Sequence, residues 1–472
     1  MIGSMAHRNK PFRYCEGAPS WNPTTYTADA PLHARAEALL ADDEFASAIA
    51  ASFSLPPPHR DKYTYHAIIS VTLAEVQHAI SLGRQNGLHA WYFAPSSPPT
   101  APSPTNNATN TTTADPPPQP QKQTLTSLPP PPRADIESYL SLFSPYTSTP
   151  SALKTLLSNA KKDSLRLSIA TYLQSKRYLH PSLPHLSIAK VGAKKASVPM
   201  NPYLQFLNWS CTALEWAGPC PASTLAGLRS HPILPVLMHH FGCACPSHEA
   251  LSILRLLAAG REVLDIGSGG GYWTYMLRAY GVRCVAVDNA QSAWRVTWVD
   301  DTVLSEGAAF LKKRRARKVK ETGGNADANA ETAAAAAAAA VDPDEPVLLL
   351  VYPIVGGSVA GGSEGGFTRA MLDSYSGDTL AVVGTQNRNG YTGFRGESMD
   401  EYMEREQTGN GWVKVVQVAL PSFPGKDEAL FVFQRGTRAP QDVSSKEVGG
   451  EKGGKSKGES KSGSSKDNKG AP

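Results

Sequence analysis

Hydrophobic positions change period several times along the 472 residues, and those changes divide the chain. From Pro31 to Phe93 the spacing is helical: Leu39, Leu40, Phe45, Ile49 and Phe53 fall near one face, as do Ile68, Val71, Ala74, Val76 and Ile80. The same period returns from Ala134 to Lys190 and predicts short amphipathic helices at Ile136–Phe143, Ala152–Leu157 and Leu165–Leu173. Between Asn201 and Gly436 the pattern is of another kind. Apolar runs at Val263–Ile266, Cys284–Val287, Val347–Tyr352, Leu380–Val383, Val413–Val418 and Ala429–Phe433 are separated by helical or glycine-rich stretches, which is an α/β pattern.

The segments between these periodic regions lack apolar periodicity. Of the 38 prolines, 13 fall between Pro95 and Pro132, so 94–133 is expected to be an extended, disordered linker, with Pro-rich docking of a protein partner as its functional alternative. A Lys/Gly/Ser-rich tail at 437–472 and an insert at 312–344, ending in the eight alanines Ala333–Ala340, are likewise expected to be disordered. The expected organisation is a flexible N-terminus (1–30), helical regions at 31–93 and 134–200 packed together as a small unit, and an α/β domain over 201–436.

Charge and cysteine usage narrow the class. The formal net charge is +5, yet Lys312–Lys320 carries seven cations, so +5 less 7 leaves the rest of the chain at −2. Any nucleic-acid footprint would therefore come from this one run, whose other readings are a nuclear-import signal and a solvated helix end. Six cysteines are too few for a disulfide scaffold and suit a reducing compartment, the cytoplasm or nucleus. No apolar run is long enough to span a bilayer, and no apolar stretch follows the basic residues His7, Arg8 and Lys10, which speaks against a membrane or secretory route.

The chemistry concentrates at Arg261-Glu-Val-Leu-Asp265-Ile-Gly267-Ser268-Gly269-Gly-Gly271-Tyr272. A strand runs into glycines that let backbone N–H groups approach a ligand, and a helix opens at Tyr272. A second strand ends in Asp288, where a carboxylate can accept from both ribose hydroxyls of an adenosine-containing cofactor. A dinucleotide site asks for G-x-G-x-x-G/A, but counting from Gly267 the third position is Tyr272.

The pattern D-x-G-x-G-x-G instead resembles motif I of the class I S-adenosylmethionine-dependent methyltransferases, over roughly half the chain. The resemblance implies a three-layer, Rossmann-like α/β domain with a mainly parallel sheet and an antiparallel C-terminal hairpin, joined to the N-terminal helices. It implies S-adenosyl-L-methionine as cofactor, held by Asp265, Gly267, Ser268, Gly269, Gly271, Asp288 and Asn289. Glu306 would meet the adenine amino group, with Asp301 as rival. Tyr352 and Asn387, after the fourth and fifth strands, are the expected acceptor-side residues. The chain departs from the amino-methyltransferase pattern [DNSH]-P-P-[YFW], because Tyr352-Pro353-Ile354-Val355 stands there. The implied activity is methyl transfer to an unnamed acceptor; the alternatives are an inactive cofactor-binding scaffold and a nucleic-acid-directed enzyme.

Other features have plainer readings. His239, His240, Cys243, Cys245 and His248 cluster within ten residues, but Cys-x-Cys is tighter than a zinc pair and no second pair follows, so no metal is expected. The alternative is a loop into a helix over Glu249–Ala259, capped by Ser247 and stopped by Gly260, with Pro246, Ser247 and Glu249 near the pocket. Trp273, Trp294 and Trp298 are expected to pack, with Trp294 a candidate to flank the adenine.

Overall fold

The computed structural model describes residues 21–55, 62–65, 69–95, 125–192, 198–221, 230–292, 294–321, 342, 344–353, 364–392, 394 and 396–440. Among these the strands are, in chain order, β1 (Tyr63–Tyr65), β2 (Ile69–Val71), β3 (Phe93–Pro95), β4 (Leu125–Ser127), β5 (Tyr178–Leu179), β6 (Val263–Ile266), β7 (Cys284–Asp288), β8 (Val303–Leu304), β9 (Val347–Val351), β10 (Thr379–Thr385), β11 (Val413–Ala419) and β12 (Glu428–Gln434). All six apolar runs of the α/β region have become strands, within one or two residues of their expected ends.

Eight strands form one sheet in the order β5-β11-β12-β10-β9-β6-β7-β8. Strands β6 to β10 are mutually parallel, while β12 enters antiparallel between β10 and β11. Five parallel strands with the order reversing between β6 and β9, and the last strand threaded inside the C-terminal hairpin, make up the class I methyltransferase fold. The sequence pattern implied this arrangement. The reversal places a crevice at the carboxyl ends of β6 and β9, where doubly wound sheets take ligands.

Central parallel strands are buried on both faces and so carry unbroken apolar runs. Alternation along β9 sends Leu348 and Leu350 into one core and Val347 and Leu349 into the other. The first core lies under the helices Gly307–Glu321 and Gly366–Ser374. There Gly307 has to be glycine, because a Cβ would stand 2.4 Å from Ile266 Cγ2 and 2.9 Å from Met371 Sδ. The second core is larger. It takes in the helices Ile233–Phe241, His248–Ala258 and Tyr272–Ala279 together with most of the N-terminal helices.

The two N-terminal helical regions therefore share the sheet's core and do not close on one of their own. The reason is length. Their helices run 6 to 12 residues, too short to cover their apolar faces alone. Helix starts already at Pro23, inside the stretch expected to be flexible, because Asn22 accepts from Thr24 and Thr25 N–H groups. Ile69–Val71, read as helical, is a strand paired with Tyr63–Tyr65, and Thr72 opens the helix Leu73–Ser81 through a capping box. The ends of the Pro-rich segment pair as β3 and β4. β5 joins the sheet's edge against Val416 and Gln417.

The connection from β7 to β8 has no helix among its described residues, and Trp298 takes over its packing. Its Nε1 donates to the His240 carbonyl at 2.7 Å, and its ring lies 5.3 Å from Trp21, 5.9 Å from Tyr26, 5.8 Å from Phe241 and 4.7 Å from Tyr272. The basic run is the second half of the helix Gly307–Glu321. Arg314 pairs with Glu262 at 3.0 Å, Arg317 with Glu321, and Lys318 with Asp342. The rest of the insert, including the eight alanines, lies outside the described residues, as does the tail from 441. No helix among the described residues is long and apolar enough to cross a membrane.

Replacing Trp298 with Ala should lower unfolding stability by about 3–5 kcal/mol, the range for deleting a large buried aromatic. An unfolding free energy from urea titration within about 0.5 kcal/mol of wild type would mean that the N-terminal segments do not depend on it.

Candidate functional site at the carboxyl ends of the parallel strands

The glycine loop leaves β6 and enters the helix Tyr272–Ala279. Gly267 N and Ser268 N donate to the Val287 carbonyl at 2.8 and 3.1 Å, which binds the loop's start to the neighbouring strand. The Asp288 carboxylate completes the turn: Oδ2 accepts from Gly269 N at 2.9 Å and Oδ1 from Ala290 N at 2.7 Å. Asp288 remains half-buried, and carboxylate oxygens have lone pairs for further donors. Asn289 Nδ2 donates to Glu306 Oε1 at 3.0 Å, bringing both residues beside Asp288 on the exposed side. The rival acid Asp301 is turned away and pairs bidentately with Arg278, which holds its carboxyl below the usual range.

Two aromatic rings border the loop. A Cβ on Gly267 would lie 3.7 Å from Phe367 Cζ, and Phe367 is exposed at the start of the helix Gly366–Ser374. On the other side Trp294 lies against Gly269, where a Cβ would approach its ring to 2.5 Å at a φ of +57°. Trp294 Nε1 and Ser268 Oγ are both buried with no hydrogen-bond partner among the described residues, although buried polar atoms are ordinarily satisfied.

Asp265 stands apart from the other expected cofactor residues. It is fully buried beneath the loop, and Oδ2 accepts from Thr274 Oγ1 at 2.7 Å. Burial pushes its carboxyl up to about 7. In this position Oδ2 ties the first turn of the following helix to β6, while Oδ1 is buried with no hydrogen-bond partner among the described residues. Gly271 opens that helix against Val299.

Tyr352 follows β9 with a φ of +55°, a left-handed conformation that a bulky residue rarely adopts. Its N–H donates to the Val383 carbonyl at 2.7 Å and its ring is buried. Ile354 and Val355 lie outside the described residues. Asn387 Nδ2 donates to Gly425 O at 3.3 Å, as Asn389 Nδ2 does at 2.7 Å. The polar loop after β10 thus fastens the turn between β11 and β12.

That turn holds what the sequence reading missed. Lys426, Asp427 and Glu428 are consecutive charged residues, and all three are buried. Lys426 Nζ lies 4.6 Å from the Tyr352 ring centroid and 3.3 Å from Glu428 Oε1. Asp427, at a φ of +51°, accepts from Gln386 Nε2 at 2.8 Å and from the Tyr172 hydroxyl. Burial raises Asp427 to about 6 and Glu428 to about 7. The run Gly425-Lys-Asp-Glu428 looks like an ordinary solvated turn, yet Tyr172 of the helix Leu165–Lys176, Gln386 and Tyr352 meet it in the fold.

The cluster around His239 disperses in the fold. His239 Nε2 meets Thr64 O at 2.8 Å, His240 Nε2 meets Tyr63 Oη at 3.0 Å, and His248 Nδ1 meets Tyr280 Oη at 2.9 Å. Ser247 caps the helix His248–Ala258, which stops with Ala259 and Gly260 both at positive φ. Glu249 is bound by Arg177, and the Pro246 carbonyl accepts from Asn201 Nδ2 at 2.7 Å. All three serve the packing of this segment.

No protein-family model matches the chain. No curated protein matches it. Solved structures do. The 1,6-didemethyltoxoflavin N1-methyltransferase of Burkholderia thailandensis, solved with its substrate and S-adenosylhomocysteine, is 13% identical, with 40% of this chain and 77% of that chain covered and a TM-score of 0.24. The magnesium protoporphyrin IX methyltransferase of Synechocystis, solved with S-adenosylmethionine, is 10% identical over 39% and 77% of the two chains, with a TM-score of 0.23. A glycopeptide N-methyltransferase solved with the same cofactor is 14% identical over 39% and 87%, with a TM-score of 0.21.

Gly269→Ala should destabilise the chain by about 1–3 kcal/mol, through ring contact and positive φ together. Adding Trp294→Ala should recover part of that loss. A urea double-mutant cycle with no coupling would show that the ring and the loop do not constrain each other. By strand order and glycine loop, the chain has the class I methyltransferase fold.

Proposed function

We propose that this protein is an S-adenosylmethionine-dependent methyltransferase. The observation that carries the reading is the glycine loop closed by Asp288 at the sheet's switch point, with Ser268 Oγ and Trp294 Nε1 buried beside it and unpartnered among the described residues. The ligand that fits carries ribose hydroxyls for Asp288, an amino-bearing ring for Asn289 and Glu306, and a polar chain for the loop. When bound, S-adenosylmethionine supplies a methyl group made electrophilic by its positively charged sulfur.

The chain's own residues do the positioning. The backbone of Gly267–Gly271 approaches the cofactor without side chains in the way, and Phe367 walls the open side of Gly267. Tyr352, at the carboxyl end of the neighbouring β9, fronts the acceptor side. Methyl transfer can proceed largely by alignment of nucleophile and methyl donor, so rigid placement is itself a catalytic contribution. A second reading, a cofactor-binding scaffold, draws on Tyr352-Pro353-Ile354 in place of the amino-methyltransferase motif.

Calorimetry on the full chain tests the cofactor reading. S-adenosylhomocysteine should bind at micromolar concentration, and Asp288→Ala should weaken it about 10- to 100-fold, the effect of losing hydrogen bonds to a charged group. A folded wild-type chain that binds neither S-adenosylhomocysteine nor S-adenosylmethionine would remove the proposal.

A further inference from the structure

Three consecutive buried charges in a hairpin turn call for an explanation other than stability. A buried ion pair offsets its desolvation cost only with good geometry, and apolar residues of similar size often serve a fold equally well. Here the pair sits between two non-glycine residues in the left-handed region, Tyr352 and Asp427, and such backbone strain gathers at functional sites.

The sheet fixes where this cluster lies. Glu428 opens β12 opposite Thr385, one position beyond the pair Gly384 and Ala429. Val383, next to Gly384, lies opposite Val351, so Glu428 stands at the level of the chain just past β9, where Tyr352 is. Alternation puts Glu428 on the side of Leu430 and Val432, which share the larger core with Tyr352. Lys426 Nζ bridges the Tyr352 ring and the Glu428 carboxylate. The groups that face Glu428 are Lys426 and Asp427 of the turn, the Ser422 hydroxyl, and the thiols of Cys243 and Cys245 across from it. Cys243 is half-buried, whereas Lys426 and Glu428 are themselves buried.

We infer that Glu428 is the proton acceptor for a methyl-accepting hydroxyl or amine, with Lys426 as the residue that positions its carboxylate against Tyr352. The inference rests on the methyltransferase reading and deepens it by naming the acceptor's chemical class, a nucleophile that loses a proton. A lone pair on the acceptor's oxygen or nitrogen forms the new bond to the methyl carbon. The pair of the broken carbon–sulfur bond stays on sulfur, and the acceptor's proton passes to Glu428. The base is active only as the carboxylate, and its carboxyl is held up to about 7 by burial. Rate should therefore rise as pH increases through about 7.

The test compares wild type, Glu428→Gln and Lys426→Gln in three readouts. These are S-adenosylhomocysteine binding by calorimetry, the pH profile of radiolabel transfer from S-adenosylmethionine into fractionated lysate, and the infrared band of a buried carboxylic acid between pH 6 and 8. Glu428→Gln should keep its affinity within about twofold. It should lose about 100-fold in transfer at pH 8, the usual contribution of a general base, along with the rising limb and Glu428's share of the infrared change, read as the difference from wild type because Asp265 and Asp427 are also raised into this range. Lys426→Gln should move the midpoint of both pH curves upward, because a cation favours the carboxylate. A Glu428→Gln chain that still transfers label with the wild-type pH profile would overturn the inference while leaving the methyltransferase reading intact. So would loss of cofactor binding in that variant, which would make Glu428 structural. Wild type that binds S-adenosylhomocysteine but transfers nothing refutes enzyme and base together, and wild type that binds nothing refutes the cofactor reading.

Discussion

A parallel sheet is apolar on both faces and has to be covered on both. Among the described residues the crossover from β7 to β8 supplies no helix for that purpose, and the cover comes from residues earlier in sequence. Trp21, Tyr26, Phe53 and Phe241 meet around Trp298, the residue that the crossover contributes in a helix's place. The N-terminal helices are thus part of the core that holds the sheet. They are too short to fold by themselves, and the sheet's face is incomplete without them.

The candidate site inherits its rigidity from this arrangement. The crossover that carries Trp298 also carries Trp294, and Trp298 N donates to the Gly270 carbonyl at 2.7 Å. Arg295 N donates to the His239 carbonyl at 3.0 Å, and the Arg295 guanidinium lies 5.1 Å from the Tyr63 ring centroid. The glycine loop is therefore held by Asp288 from the strand and by the crossover from the N-terminal side. A loop so fixed has its backbone in place before a ligand arrives and adds no further ordering cost to binding.

What was legible in the sequence was local. The glycine loop, the strand before it and Asp288 after it lie between Val263 and Asp288, and strand periodicity needs only neighbouring positions. Glu306 was read from its place after the third strand, and only the fold shows its rival Asp301 paired with Arg278. Amphipathic helices report that a face must be buried but not against what, so the shared core of the N-terminal helices was hidden. Asp265 shows the same limit, since a motif position says nothing of whether the carboxylate points to solvent or to Thr274. Lys426-Asp427-Glu428 was the least legible. Charge in a turn between Gly425 and a strand signals solvent exposure, and only a long-range cover reverses that signal.

That cover also links the acceptor side to the N-terminal helices through polar groups. Tyr172, on the helix Leu165–Lys176, donates to Asp427. Gln386 donates to the other oxygen of Asp427 and accepts from Gln417, which in turn accepts from Lys414, a partner of Asp400. Each buried member has a partner, as a polar network must if it is to stiffen a fold and not weaken it. The network ends one residue from Lys426 on one side and one from Glu428 on the other. Because Asp427 is held at both oxygens in a left-handed conformation, its neighbours are set in opposite directions along the turn and brought back together over Tyr352. A turn free to relax would let Lys426 and Glu428 reach water, where each charge is better solvated alone. The constraint that keeps them paired is therefore the packing of the N-terminal helices on the sheet, acting through Tyr172 and Asp427.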